Sequence, residues 1–404
     1  MTTVPNRPLS IFVHRASECL TDYESHGDGL ICFSLLNGLA ERGHQVYAFT
    51  NTAPIQRCSP NLHLKTGKHR VPANSLAPWE FSWQAECWMQ QLQRSTPIDL
   101  VWRMHPYGEG CPYPPRTFGK PLVIGPLFSE WPADFSQPQN TGMPRFGISL
   151  KKFVWPYATR GWRRALQSAS LMICATEART ASLEREVLNT PMLTSPVIVE
   201  SPYYNEPPAR KEPLGSRPLR LLLAANLVPN KNVDVFCETV KQLNEAGLQT
   251  KGIILGEGPG HNQIEEYIKE NQLEDVLSLK GKRPHSEVWK HLRDSDILIS
   301  CSGFEAYGRT IVEAMSVGTP AVCYGGSIGP TEIISHGIDG LLVSELTAEA
   351  YASQILNCVK DPHSLENLAA NALIKAENWR SNVVLDRLEE SLLNTVSQDR
   401  RRQA

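Results

Sequence analysis

Apolar residues fall along this chain in two rhythms. Short unbroken apolar runs read as buried strands, and stretches with apolar positions three or four apart read as helices. The first run is Leu9 to Val13. A loop over Ala16 to Asp28 follows, then a helix from about Gly29 to Arg42 carrying Leu30, Phe33, Leu36, Leu39 and Ala40. Gly43 stops that helix, and Gln45 to Phe49 is the next strand. Strands are expected again at Asp99 to Met104, Pro121 to Gly125, Ser170 to Ala175 and Pro196 to Glu200, with helices over Ala77 to Arg94 and Ala178 to Leu188. From Ser201 to Pro218 the composition turns proline-rich and polar, as a linker does.

The pattern then begins again. Strands at Leu219 to Ala224, Ile253 to Leu255, Val276 to Leu279, Ile297 to Ile299 and Ala321 to Tyr324 alternate with helices over Val233 to Ala246, His261 to Asn271, Ser286 to Arg293 and from Gly308 onward. Such alternation predicts an α/β chain with two Rossmann-like, doubly wound halves. The expected division is residues 1–205, 206–375 and a last segment, 376–404. That segment holds a helix over Ala376 to Val396 with Trp379, Val383, Leu388 and Leu392, then a frayed basic tail at Arg400-Arg401-Arg402.

Composition narrows the class. The chain has 404 residues, 41% of them hydrophobic and 20% charged, so a folded chain of two or three domains is expected, not disorder. A formal net charge of -2 argues against a general nucleic-acid binder. Ten scattered cysteines form no Cys-x-x-Cys pair, which points to buried thiols in a reducing cytosol. No signal-peptide pattern and no run near the roughly 18 apolar residues of a spanning helix is present. A cytoplasmic protein is therefore expected. Residues 151–164, KKFVWPYATRGWRR, have two readings: peripheral contact with an anionic membrane, or a solvated basic helix with its aromatics in the core.

The chemistry concentrates between Ile297 and Val343. After the strand at Ile297, a loop over Ser300 to Tyr307 holds Glu305, and seven residues separate it from Glu313 in the following helix. Ligands of open parallel sheets sit at the carboxyl ends of strands, and a helix start there suits a phosphate. The carboxylates suit neutral hydroxyls instead. One anion-friendly helix start between two hydroxyl acceptors points to a nucleotide-sugar pocket.

The run Glu305-Ala306-Tyr307-Gly308-Arg309-Thr310-Ile311-Val312-Glu313, with Gly318-Thr319-Pro320 after it, resembles the donor-site signature of retaining glycosyltransferase family 4. That resemblance implies a GT-B fold: two Rossmann-like domains facing a central cleft, with a C-terminal helix crossing back to the N-terminal domain. It implies that Glu313 holds the ribose hydroxyls and Glu305 those of the donor sugar. Backbone N–H groups around Tyr307, Gly308 and Arg309 would bind diphosphate and sugar. Gly256 and Gly258 would let the chain approach the nucleotide, with Lys282 and Arg283 beside the base. Lys231 would meet the diphosphate. The family's partner arginine is replaced by Asn226, and Arg309 or Arg283 is the candidate to compensate. In the first half, Gly27 and Gly29 would bring backbone to the donor, although the same residues read as a helix entry capped by Asp28. A histidine common in the family is replaced at Gly125-Pro126, which leaves His105 and His26 as candidate substitutes.

The implied reaction is transfer of a sugar from a nucleotide-sugar donor with retention, to an acceptor the sequence leaves open, as it does the oligomeric state. No cofactor or metal is expected. Lys231, the helix start and Arg309 would carry the leaving charge, and Asp294-Ser295-Asp296 reads as structural. The rival readings are a non-catalytic nucleotide-sugar binder, favoured by Asn226, and a two-domain solute-binding protein, disfavoured by the missing leader and the cysteines.

Overall fold

The computed structural model describes residues 7–24, 27–67, 77–104, 115–129, 164–187, 189–204, 206, 212, 215–361 and 363–403. Two units emerge. One comprises Met1–Phe128, Gln137–Ile198 and Ser381–Ala404, the other Ser129–Ser136 and Val199–Arg380.

The first unit is built on strands β1 (Ser10–Arg15), β2 (Gln45–Thr50), β3 (Leu62–Thr66), β4 (Leu100–Arg103), β5 (Leu122–Leu127), β6 (Leu171–Cys174) and β7 (Met192–Thr194). All pair in parallel, in the order β3-β2-β1-β4-β5-β6-β7. Helices α1 (Gly27–Glu41), α2 (Ala77–Leu92) and α3 (Glu177–Glu186) connect them. Phe12, Phe49, Phe81, Met89, Val101 and Ile124 form the core beneath α2. Parallel strands covered on both faces need continuous apolar runs, which is why β1, β2, β4, β5 and β6 were legible.

The second unit repeats the plan with β8 (Leu219–Ala224), β9 (Thr250–Leu255), β10 (Leu277–Leu279), β11 (Ile297–Ser300), β12 (Ala321–Tyr324) and β13 (Leu341–Val343), in the order β10-β9-β8-β11-β12-β13. Its helices are α4 (Val233–Glu245), α5 (His261–Glu270), α6 (His285–Asp294), α7 (Arg309–Met315), α8 (Ile328–Ile333), α9 (Ala348–Val359) and α10 (Ser364–Ala376). Phe236, Val240, Ile254, Ile299, Tyr351 and Ile355 lie in its core. Asp296 ties the start of β11 to that of β8: both its oxygens accept from Arg217, at 2.6 and 2.8 Å, and Oδ2 also accepts from the Arg220 N–H at 2.8 Å.

Four expectations change. The last strand of the first unit is Met192–Thr194; Pro196 to Glu200 leaves the sheet, and its buried Val197, Ile198 and Val199 gave it the apolar look of a strand. Val199 instead donates its N–H to the Trp379 carbonyl at 2.9 Å. The expected helix from Ala376 is interrupted: α10 ends there, a 3-10 turn at Glu377–Trp379 follows, and α11 (Ser381–Gln403) begins anew. The basic end is the last turn of α11, where Arg400 donates to Asp99 at 2.6 Å. Finally, α1 starts at Gly27, so Asp28 is a first-turn acid and not the residue before the helix.

Helix α11 packs in the first unit against α1. Gly38 has no side chain there because a Cβ would meet Leu385 at 2.5 Å. Arg42 pairs with Asp386 at 2.7 Å and Glu389 at 2.8 Å, and His44 Nε2 sits 3.0 Å from Glu389.

Candidate active site

The residues singled out in the second unit gather at the carboxyl ends of β8, β9, β10 and β11. Two loops carry the first group. The loop after β8 turns through a 3-10 helix at Pro229–Lys231 into Asn232, whose φ of 43° is a conformation asparagine tolerates. The loop after β11 runs alongside it. Asn230 donates to the Phe304 carbonyl at 2.9 Å and accepts from the Phe304 N–H at 3.0 Å. Asn232 donates to the Cys301 carbonyl at 2.9 Å. These bonds fix the backbone on either side of Lys231 and Glu305.

Lys231 Nζ lies 2.6 Å from Glu305 Oε2 and 3.1 Å from Ser302 Oγ. Their side chains are 19% and 25% exposed, so the pair is shielded but reachable. The Glu305 backbone is clamped from behind: its N–H donates to Ser327 Oγ at 2.6 Å, and its carbonyl accepts from the Gly329 N–H at 2.9 Å. Glu305 is therefore held at the loop tip with its carboxylate turned to a cation. Such a cation can shift toward a more negative ligand without disturbing either backbone.

Gly308 joins the loop to α7 with φ 101°. That conformation favours glycine, and a Cβ there would also push the Ile311 Cδ1 methyl, 2.7 Å away, aside. Helix α7 is only seven residues long, so its dipole supports an anion less than the sequence suggested. Tyr307 is buried, and its hydroxyl accepts from Trp379 Nε1 at 2.6 Å.

Glu313 forms the second group. It is 4% exposed. His285 Nε2, at the start of α6, lies 2.9 Å from Glu313 Oε1, and Arg309 Nε reaches the same oxygen at 2.9 Å. Burial works to raise the pKa of this carboxyl, but the Arg309 charge and the His285 hydrogen bond outweigh it, so the group sits below the ordinary carboxylate range. The expected use of Arg309 as a compensating cation meets a different geometry. Its side chain folds back along its own helix onto Glu313. Arg283 is likewise occupied, donating to the Lys280 carbonyl at 3.0 Å.

Gly256 has φ 141°, and a Cβ there would meet the Ala225 carbonyl; a Cβ at Gly258 would meet the Leu227 carbonyl at 2.5 Å. In the structure these glycines let the loop after β9 lie on the loop after β8. Asn226 is exposed on that second loop, and Lys282 is exposed beyond β10. Gly27 and Gly29 belong to the other unit, in the first turn of α1, the former exposed and the latter buried. His26, His105 and residues 151–163 lie outside the described residues. Gly125 carries φ 129°, and its missing side chain makes room for the Ile173 carbonyl.

Sequence reasoning missed Asn230, Asn232, Ser302, Ser327, His285 and Trp379. The two asparagines flanking Lys231 were a usable local signal. His285 had none, since nothing near it in sequence hints at Glu313.

Residues 207–374 match the family model described as glycosyl transferases group 1. The stretch contains every residue of both groups except Trp379. Amylovoran biosynthesis glycosyltransferase AmsK of Erwinia amylovora is 31% identical over 169 residues, 40% of this chain and 41% of that one. The chain thus spans under half the length of relatives at this identity. Alpha-D-kanosaminyltransferase of Streptomyces kanamyceticus is 22% identical over 300 residues, 70% of this chain and 75% of that one. The crystal structure of Anabaena Alr3699/HepE in complex with UDP superposes with a TM-score of 0.69 at 17% identity, covering 95% of this chain and 99% of that one. The fold is GT-B.

Proposed function

We propose that this protein is a glycosyltransferase that moves a sugar from a nucleotide-sugar donor to a hydroxyl acceptor with retention at the anomeric carbon. The observation that carries the reading is the Lys231–Glu305 pair at 2.6 Å, set beside the ionised, buried Glu313 in the stretch that matches group 1 glycosyl transferases. Lys231 supplies charge for the leaving diphosphate, where negative charge grows in the transition state. Glu305 accepts from hydroxyls of the transferred sugar. Glu313 accepts from the ribose. Arg309 belongs to the ribose end, through its contact with Glu313. This division needs no metal, so transfer should survive chelation of divalent cations.

One relative is named for amylovoran biosynthesis and another as a kanosaminyltransferase, and HepE is seen in complex with UDP. A uridine diphosphate sugar is therefore the first donor to try. Among the described residues no helix is long and apolar enough to cross a membrane. A cytoplasmic location with peripheral membrane contact suits a polysaccharide or lipid-linked acceptor.

The test is a thermal-shift screen with UDP-, GDP- and ADP-sugars, followed by hydrolysis and transfer assays and an NMR reading of the anomeric configuration. A binding donor raises the midpoint by mass action. No shift with any donor would sink the reading, and binding without turnover would favour the non-catalytic alternative.

A further inference from the structure

The carboxylate of Glu313 is held unevenly. Both neighbours approach Oε1: His285 Nε2 at 2.9 Å and Arg309 Nε at 2.9 Å. They do different things there. The His285 contact has hydrogen-bond geometry. The Arg309 contact does not, since Nε and Nη1 are buried with no aligned acceptor. Arg309 contributes charge, and His285 contributes direction. Among the described residues Oε2 has no side-chain or backbone donor. Because the acid is ionised, the facing nitrogen of His285 carries the proton. The imidazole is itself steadied, its ring centroid 5.5 Å from that of Trp289 one turn along α6. Its own side chain is 17% exposed.

We propose that His285 is a positioning residue that sets the orientation of Glu313, so that Oε2 is presented as the acceptor for a vicinal diol, and that ribose-against-deoxyribose selection runs through it. The proposal rests on the reading of Glu313 as the ribose acceptor and adds who aims it. A carboxylate free to rotate meets one hydroxyl nearly as well as two. A carboxylate pinned at one oxygen cannot turn to another donor when a hydroxyl is absent, and a buried acceptor left unpaired is strongly unfavourable. Arg309 alone would keep the acid ionised without fixing its plane.

The experiment is calorimetric titration of the full chain with UDP, GDP and ADP, each beside its 2′-deoxy counterpart, using the base that binds tightest. The parent protein is expected to prefer the ribonucleotide by at least about 30-fold, a conservative share of what a site built for a hydroxyl achieves. His285→Phe keeps a ring against Trp289 and removes the donor, and it should bring the ratio below about 5-fold. His285→Gln restores a donor and should recover most of the preference. His285→Ala gives the same answer as His285→Phe if the larger ring disturbs folding. A ratio unchanged in His285→Phe and His285→Ala but lost in Glu313→Gln overturns the proposal and leaves the ribose reading intact. A ratio unmoved in Glu313→Gln overturns both, because Glu313 then does not meet the ribose.

Discussion

The two sheets share one strand order through their first six places, yet they manage buried charge in opposite ways. At the end of β1 in the first unit, His14 is 1% exposed. Burial, reinforced by the charges of Arg103 and Arg15, pushes it down to about 3, so it stays neutral. In the second unit, Glu313 is buried nearly as deeply but stays ionised, because Arg309 and His285 face it. Lys231 and Glu305 face each other across two loops. One sheet end excludes a proton by dehydration; the other holds paired charges ready for a polar ligand. Topology alone therefore does not say which unit carries the chemistry. The side chains placed on it do.

Removing the facing charges should have the largest effect. Lys231→Ala and Glu305→Gln should each lower kcat/KM for sugar transfer by about 100- to 1000-fold, the range seen when one transition-state contact is deleted. Both proteins should stay folded by circular dichroism, since the pair is partly exposed. A loss under about 3-fold in either would mean the paired charges are structural only.

Next comes the pair at the other end of the same sheet. Arg217 and Asp296 have side chains 8% and 2% exposed, so Asp296→Ala strands a buried guanidinium. It should lower stability by about 3–5 kcal/mol in urea unfolding. The double change Arg217→Met, Asp296→Leu should recover much of that. If it does not, the pair is favourable in itself and not only when broken.

The first unit is tested by pH. The folded value of His14 lies below its ordinary value of 6.5, so the unfolded chain takes up the proton first. Stability carried by neutral His14 is whole above pH 6.5 and is lost as pH falls toward 3. The slope attributable to this one residue is at most about 1.4 kcal/mol per pH unit. His14→Phe should flatten the fall in stability between pH 6.5 and 4, whatever it does to stability at pH 7. An unchanged slope would show that His14 is charged in the folded chain.

The smallest effect is expected at the tail. Arg400 is 53% exposed where it meets Asp99, so Arg400→Ala should cost under about 1 kcal/mol, less at high salt. A larger loss, read in the same urea curves, would make the end of α11 a structural anchor.

Much of this protein was determined by its sequence alone. Buried parallel strands demand apolar runs, so β8 was found at its true bounds, Leu219–Ala224, and β2, β9 and β11 within a few residues. The Glu305–Glu313 spacing and the glycines around it marked the region that the structure knits together. Some short or edge elements escaped, although β10, which is both, did not. Strand β3 reads Leu62-His63-Leu64-Lys65-Thr66 and is half solvated, too polar to stand out. Pro196 to Glu200 looked like a strand because of its apolar, buried Val197, Ile198 and Val199, though no neighbour pairs with it as one. Tertiary structure alone decided the partners. Lys231 and Glu305 are 74 residues apart, and His285 and Glu313 are 28 apart. Local sequence sets which residues can curl or extend. Which side chains meet depends on where loops return, and that is settled only when the sheet closes around its core.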